Sequence, residues 1–182
     1  MSGIRRLPPE VANKIAAGEV VERPASLAKE LLENSLDAGA ERVEVAFEAG
    51  GTEMIRVADD GRGIAAEDVE LAFERHATSK LEDADDLEAV RTLGFRGEAL
   101  ASIAAVARVE MVTQPAGGPG TRIRVEGGAV TAKEPAARAP GTTIEVTGLF
   151  YNTPARRKFL KTPPTEGRVL VRAVGAQALG AP

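Results

Sequence analysis

Cysteine is absent from the 182-residue chain, which excludes disulfides and thiolate metal sites. Tryptophan is absent as well, and one tyrosine with five phenylalanines makes up the aromatic content. Stacking of bases on an aromatic platform is therefore not the expected mode of nucleic-acid contact. No apolar run approaches the length of a membrane span, and the first residues lack a signal-peptide core. The expectation is a soluble, cytoplasmic protein with no membrane partner. Hydrophobic residues make up 43% of the chain, enough for a single domain of ordinary size to bury a core.

Charge is unevenly placed. Residues 151–182 carry Arg156, Arg157, Lys158, Lys161, Arg168 and Arg172 against Glu166 alone, a balance of +5. With a net charge of −4 overall, the first 150 residues hold −9. A basic end on an acidic body either meets phosphates electrostatically or keeps a surface helix soluble.

The hydrophobic pattern divides the chain into short elements. Pro8 and Pro9 open a helical pattern that runs to about Glu19. Pro24 starts a second helix, which ends near Ala38 with Gly39 as its stop. Val43, Val45 and Phe47 alternate with polar residues, as does the run from Met54 to Val57, and Gly50-Gly51 between them reads as a hairpin turn. A short helix is expected over 66–74. Residues 75–92 lose all periodicity and read as a lid bounded by ligand-binding motifs, or else as an inert surface loop. A helix-like run from Glu98 to Ala105 follows. Strands are expected near 106–114, 121–126, 129–133 and 141–147. A last apolar run, from Arg168 to Ala181, reads as a helix. Helices around a mostly antiparallel sheet, with the helices on one face, make the class α+β.

Three segments carry chemistry. In the second helix, Glu30, Glu33, Asn34 and Asp37 fall at i, i+3, i+4 and i+7 and share a stripe. Carboxylates and an amide aimed one way could hold a metal and a water, although such a stripe by itself reads more readily as a solvated face. Asp59 leaves an alternating strand in Asp59-Asp60-Gly61-Arg62-Gly63, where its carboxylate can accept from an amino group such as the exocyclic amine of adenine. An ordinary Asp-Gly turn is the plainer alternative. Third, Gly94-Phe95-Arg96-Gly97 precedes the helix at Glu98, placing free N–H groups and a helix's positive end where phosphate can bind.

In their order, these segments, together with Gly141-Thr142-Thr143 opening a strand, resemble the ATP-binding motifs of the GHKL superfamily. Within it, Ile4–Val21 followed by Glu22-Arg23-Pro24, then Arg75–Lys80, then Phe150–Leu160 look like the MutL mismatch-repair proteins. The likeness extends to about residue 165. It implies the two-layer α/β sandwich of the GHKL (Bergerat) type, with ATP and Mg²⁺ as cofactors. By that resemblance Glu30 is the general base toward water and Asn34 offers its amide oxygen to Mg²⁺, with Glu33 competing for either role and Asp37 supporting the site from behind. Asp59 reads adenine, Gly61 and Gly63 admit it, and Thr143 is the hydroxyl that steadies Asp59. Thr78, Ser79 and Lys80 of the lid would wrap the phosphates with Gly94, Phe95, Arg96 and Gly97. His76, the sole histidine, suggests acid–base catalysis, but a packing or hydrogen-bonding role in the lid explains it as well.

The resemblance further implies an ATPase that orders its lid and pairs two protomers into a clamp on double- or single-stranded DNA. Arg156, Arg157, Lys158 and Lys161 would touch that DNA, and a mismatch-recognition protein would be a further partner. MutL ATPase regions continue into a second domain that supplies a lysine to the γ-phosphate. Residues 1–165 are therefore expected to form the ATP-binding domain and 166–182 a helix leading onward, with weak hydrolysis by this truncated chain. A non-catalytic ATP- and DNA-binding module and a histidine-kinase-type domain are the competing readings.

Overall fold

The computed structural model describes residues 8–75 and 98–180. Helix α1, Pro9–Val20, and helix α2, Pro24–Asp37, each carry proline in the first turn, where a missing N–H leaves no intrahelical bond unmade. Strands β1, Val43–Glu48, and β2, Met54–Asp59, form an antiparallel hairpin closed by a 3₁₀ turn at Ala49–Gly51. Helix α3, Ala99–Val106, leads into β3, Arg108–Gln114, β4, Thr121–Glu126, and β5, Ala129–Pro135. Strand β6, Gly141–Thr147, is followed by one helical turn, α4, Pro154–Arg157, and by α5, Pro163–Gly180.

The helix expected over 66–74 is instead a run of turns ending in a single 3₁₀ turn, Leu71–Phe73. Only Val69 there is fully buried, and Leu71 is half exposed. A nine-residue segment with one anchor has too little burial to offset the cost of nucleating a helix.

All pairings in the six-stranded sheet are antiparallel, in the order β1-β2-β6-β3-β4-β5. The last strand in sequence thus inserts at the centre. Period-two alternation sends Ile55 and Val57 of β2, Val109 and Met111 of β3, Ile123 and Val125 of β4, and Ile144 and Val146 of β6 to one face. There they pack with Leu27 and Leu31 of α2 and Ile103 and Val106 of α3. The opposite face carries Arg56, Glu145, Glu110 and Arg124 as successive cross-strand partners and is left to solvent. The expected α+β class, with helices on one face, is what the chain adopts.

Helix α5 begins before the boundary expected at residue 165 and packs on α2 and the hairpin turn. Leu170 is fully buried there. Glu166, 1% exposed, takes both the Nε and an Nη of Arg23 on one carboxylate oxygen, at 3.1 and 2.9 Å, and the Lys161 N–H on the other at 2.8 Å. The carboxylate therefore pins the segment that starts α2 to the segment that starts α5. Glu166→Ala strands the partly buried Arg23 guanidinium and a backbone donor. It should cost about 3 kcal/mol of unfolding free energy in denaturant titration; a loss below about 0.5 kcal/mol would reduce the pair to an ordinary surface bridge.

Candidate functional site

The centre of the sheet's helix-covered face ends at Asp59, the last residue of β2. Register pairs Asp59 with Thr142 of β6, so the carboxylate lies beside the first turns of the central strand. Its Oδ1 accepts the N–H of Gly61 at 3.0 Å and that of Thr142 at 3.1 Å. Its Oδ2 lies 3.0 Å from the hydroxyl of Ser35, which is also 3.1 Å from the Leu31 carbonyl. The charged oxygen is the stronger acceptor of the two. An ionised carboxylate offers about four acceptor positions. Donors among the described residues fill three of them and leave one on Oδ2 of this half-buried residue.

The loop after Asp59 is held as firmly. The carbonyl of Ala38, at the end of α2, accepts the Arg62 N–H at 3.0 Å. A Cβ at Gly63, whose φ is +68°, would collide with the Gln114 carbonyl of β3, so the close passage of the two backbones requires glycine. One residue on, the Ile64 N–H donates to Thr113 Oγ1 at 2.9 Å. Thr113 is fully buried, and its hydroxyl also meets Thr142 Oγ1 at 3.0 Å and the Gly141 carbonyl at 3.2 Å.

On the other side of the sheet, Arg138 reaches Asp59 through its main chain. Its Nη2 donates to the Asp59 carbonyl at 2.9 Å and its Nη1 to the Val112 carbonyl at 3.3 Å. Burial lowers the guanidinium from its usual value, the negative Asp59 opposes that shift, and the nearby Arg56 adds to it.

These contacts sort the residues expected from sequence. Asp59, Gly61 and Gly63 form one turn against the end of α2. Glu30 and Asn34 lie half-buried one helical turn apart on α2, with Asn34 directly before Ser35. Glu33 is buried and ion-paired with Lys29 at 3.5 Å, so it is committed within its own helix. Thr143 does not steady Asp59. Strand alternation sends it to the solvent face, into a recess with Arg56, Glu110, Val112, Arg138 and Glu145. Thr142, one residue earlier, is the neighbour of Asp59. Thr78, Ser79, Lys80, Gly94, Phe95, Arg96 and Gly97, with His76, lie outside the described residues.

Of the basic group, Arg157, Lys158 and Lys161 are exposed. Arg156 turns inward: its guanidinium occupies the space that a Cβ on Gly18 of α1 would need, and it sits 6.0 Å from the centre of the Phe150 ring.

Ser35, Thr142, Thr113 and Arg138 are the residues that motif reading passed over. Three of them had a signal, Thr113 because Val109 and Met111 mark the core face of β3. Ile144 and Val146 mark the core face of β6 and so carry Thr142 with them, and Ser35 falls one helical turn after Leu31 on the apolar side of α2. Arg138 had none, because a loop residue that crosses a sheet leaves no periodicity.

A family model for histidine kinase-, DNA gyrase B- and HSP90-like ATPases matches residues 23–137, which takes in α2, Asp59 and its glycine turn. The chain belongs to this ATPase family. Within these ATPases it is of the MutL type. It is 58% identical over 167 residues to the DNA mismatch repair protein MutL of Solibacter usitatus, covering 91% of this chain and 25% of that protein. The MutL of Anaeromyxobacter dehalogenans is 54% identical over 183 residues, covering 100% and 30%. Among solved structures, the Aquifex aeolicus MutL ATPase domain complexed with ADP matches with a TM-score of 0.68 at 35% identity, over 88% of this chain and 56% of that one. The N-terminal domain of a DNA repair protein matches at 0.75 and 32%, over 90% and 47%. The chain thus spans a minor part of its curated MutL relatives.

The two threonine faces give a direct test within this ATPase domain. Thr113→Val keeps the shape but leaves the Ile64 N–H without its acceptor, and should lower stability by about 1–3 kcal/mol. Thr143→Val, on the solvent face, should change it by no more than about 0.5 kcal/mol. Urea unfolding of both variants measures this; equal effects would contradict the assignment of faces.

Proposed function

We propose that this domain binds Mg-ATP and serves as the nucleotide-driven switch of a MutL-type mismatch-repair protein, with adenine read by Asp59. The observation that carries the reading is the acceptor position on Asp59 Oδ2 that no donor among the described residues takes. Two backbone amides and a hydroxyl orient the carboxylate before any ligand arrives. What remains is an acceptor for one N–H, which matches the exocyclic amine of adenine and disfavours a purine bearing oxygen at that position. Gly61 and Gly63 keep the adjoining wall free of side chains.

Hydrolysis requires an oriented water and relief of phosphate charge. Glu30 takes the first role, one turn before Asn34 on the half-buried side of α2. No cluster of three acidic or histidine side chains suited to a metal exists among the described residues. That fits Mg²⁺, which is usually held by one or two protein oxygens together with water and the substrate's own phosphates. Asn34 offers the amide oxygen for it, and the ion would supply charge neutralisation along the phosphate chain. Thr78, Ser79 and Lys80, with Gly94, Phe95, Arg96 and Gly97, would surround the phosphates in this reading.

Nucleotide then acts by favouring a closed form over an open one, ordering the 75–92 segment and pairing two protomers. Arg157, Lys158 and Lys161 are the exposed cations suited to DNA, and a mismatch-recognition partner follows from the MutL likeness.

Titration of Mg-ATP into the protein and two variants tests the site, with binding and phosphate release followed separately. Asp59→Asn replaces an acceptor by a donor and should weaken ATP about tenfold or more. Glu30→Ala should bind within a fewfold of the parent while its phosphate release falls about 100-fold or more. Equal binding by all three proteins would end the assignment of Asp59.

A further inference from the structure

We infer that Arg138 is a positioning residue for purine selectivity, acting from the solvent face of the sheet through the main chain of Asp59. This rests on the adenine reading proposed above and adds to it a residue remote from the nucleotide.

Asp59 closes β2, and its two polar ends point to opposite sides. The carboxylate faces α2; the carbonyl emerges toward Arg138. That carbonyl is confined on the β6 side, because Gly141, at φ +124°, passes so closely that a Cβ there would fall on the Asp59 oxygen. The Arg138 guanidinium then bonds it at 2.9 Å and, through its other nitrogen, bonds the Val112 carbonyl at 3.3 Å. Val112 belongs to β3, and β6 lies between β3 and β2. One rigid fork therefore spans three strands and fixes the height of the Asp59 peptide relative to its neighbours.

Arg138 is itself anchored. Its N–H donates to Gln114 Oε1 at 3.0 Å, and the Ala136 N–H bonds the Gly120 carbonyl at 3.0 Å, so the 136–140 loop is laced to the ends of β3 and β4. The recess around the guanidinium holds Arg56, Glu110 and Glu145. Of the charges acting on the cation, Asp59 favours it and Arg56 opposes it.

The functional consequence is geometric. The open acceptor position on Asp59 Oδ2 is useful only if it is aimed where the base's amino group arrives. Release of the Asp59 peptide lets the carboxylate shift by the few tenths of an ångström that weaken a hydrogen bond, without removing any group that touches phosphate or metal. Loss of Arg138 should therefore weaken adenine nucleotides selectively.

The test compares ATP with inosine triphosphate, whose ring carries oxygen in place of the amine, on the parent protein, Arg138→Met and Arg138→Lys by calorimetric titration. The parent should prefer ATP. Arg138→Met should weaken ATP about tenfold and leave inosine triphosphate unweakened, so that the preference collapses. Arg138→Lys, which keeps the charge and one point of contact but not the fork, should fall between them, and it carries the test if the methionine variant fails to fold. A parallel weakening of both nucleotides would mean a merely structural arginine and overturn the inference, as would unchanged affinities. A parent that binds neither nucleotide, or both equally, would overturn the adenine reading itself, an outcome distinct from failure at Arg138.

Discussion

The carboxylate of Asp59 is the knot on which the arrangement depends. It gathers a hydroxyl from α2, an amide from the turn that follows β2, and an amide from β6, three donors far apart in sequence. Each alone contributes about 1–3 kcal/mol as a hydrogen bond to a charged group. Together they hold a helix end, a loop and the central strand around one atom pair. In the adenine reading proposed above, donors from the protein itself would orient the acceptor before a ligand enters and leave little reorganisation to oppose binding.

That arrangement is possible because the chain's last strand is the sheet's central one. Insertion of β6 between β2 and β3 brings Thr142 against Asp59 and Thr113 at once. Packing below and polar bonding at the edge are then parts of one continuous face: Val57, Ile144 and Met111 are apolar, and the next residues along the same strands, Asp59, Thr142 and Thr113, are polar. The core thus fixes strand register, and register fixes which side chains reach the site. A slip of one residue in β6 would exchange Thr142 for Thr143 and empty the network.

Much of this was legible in sequence. Proline starts, glycine stops and alternating patterns place all six β-strands and the helices at 9–20, 24–37 and 99–106 close to where they lie. Asp59, Gly61 and Gly63 were identified as one turn from their spacing alone, and the structure assembles them as such. What failed did so for physical reasons. The 66–74 segment has the composition of a helix but only Val69 to anchor it. Motif position points to Thr143, where strand alternation favours Thr142. Charge pattern groups Arg156 with the surface cations, but its half-buried guanidinium lies against Gly18 and near the Phe150 ring. The register that joins β6 to β2 comes from three-dimensional closure of the sheet, which no local pattern encodes.

The margins of the sheet carry a consequence of their own. Its two outermost strands are β1 and β5. Strand β5 is solvent-exposed along nearly its whole length, ends in Pro135, and has Lys133 and Glu134 tied to Glu70 and Arg122. Strand β1 turns Glu44 and Glu48 outward. Charges and proline along such rims discourage a foreign strand from docking in register. The open, single-sided sheet is thereby guarded against edge-to-edge association by residues that take no part in its chemistry.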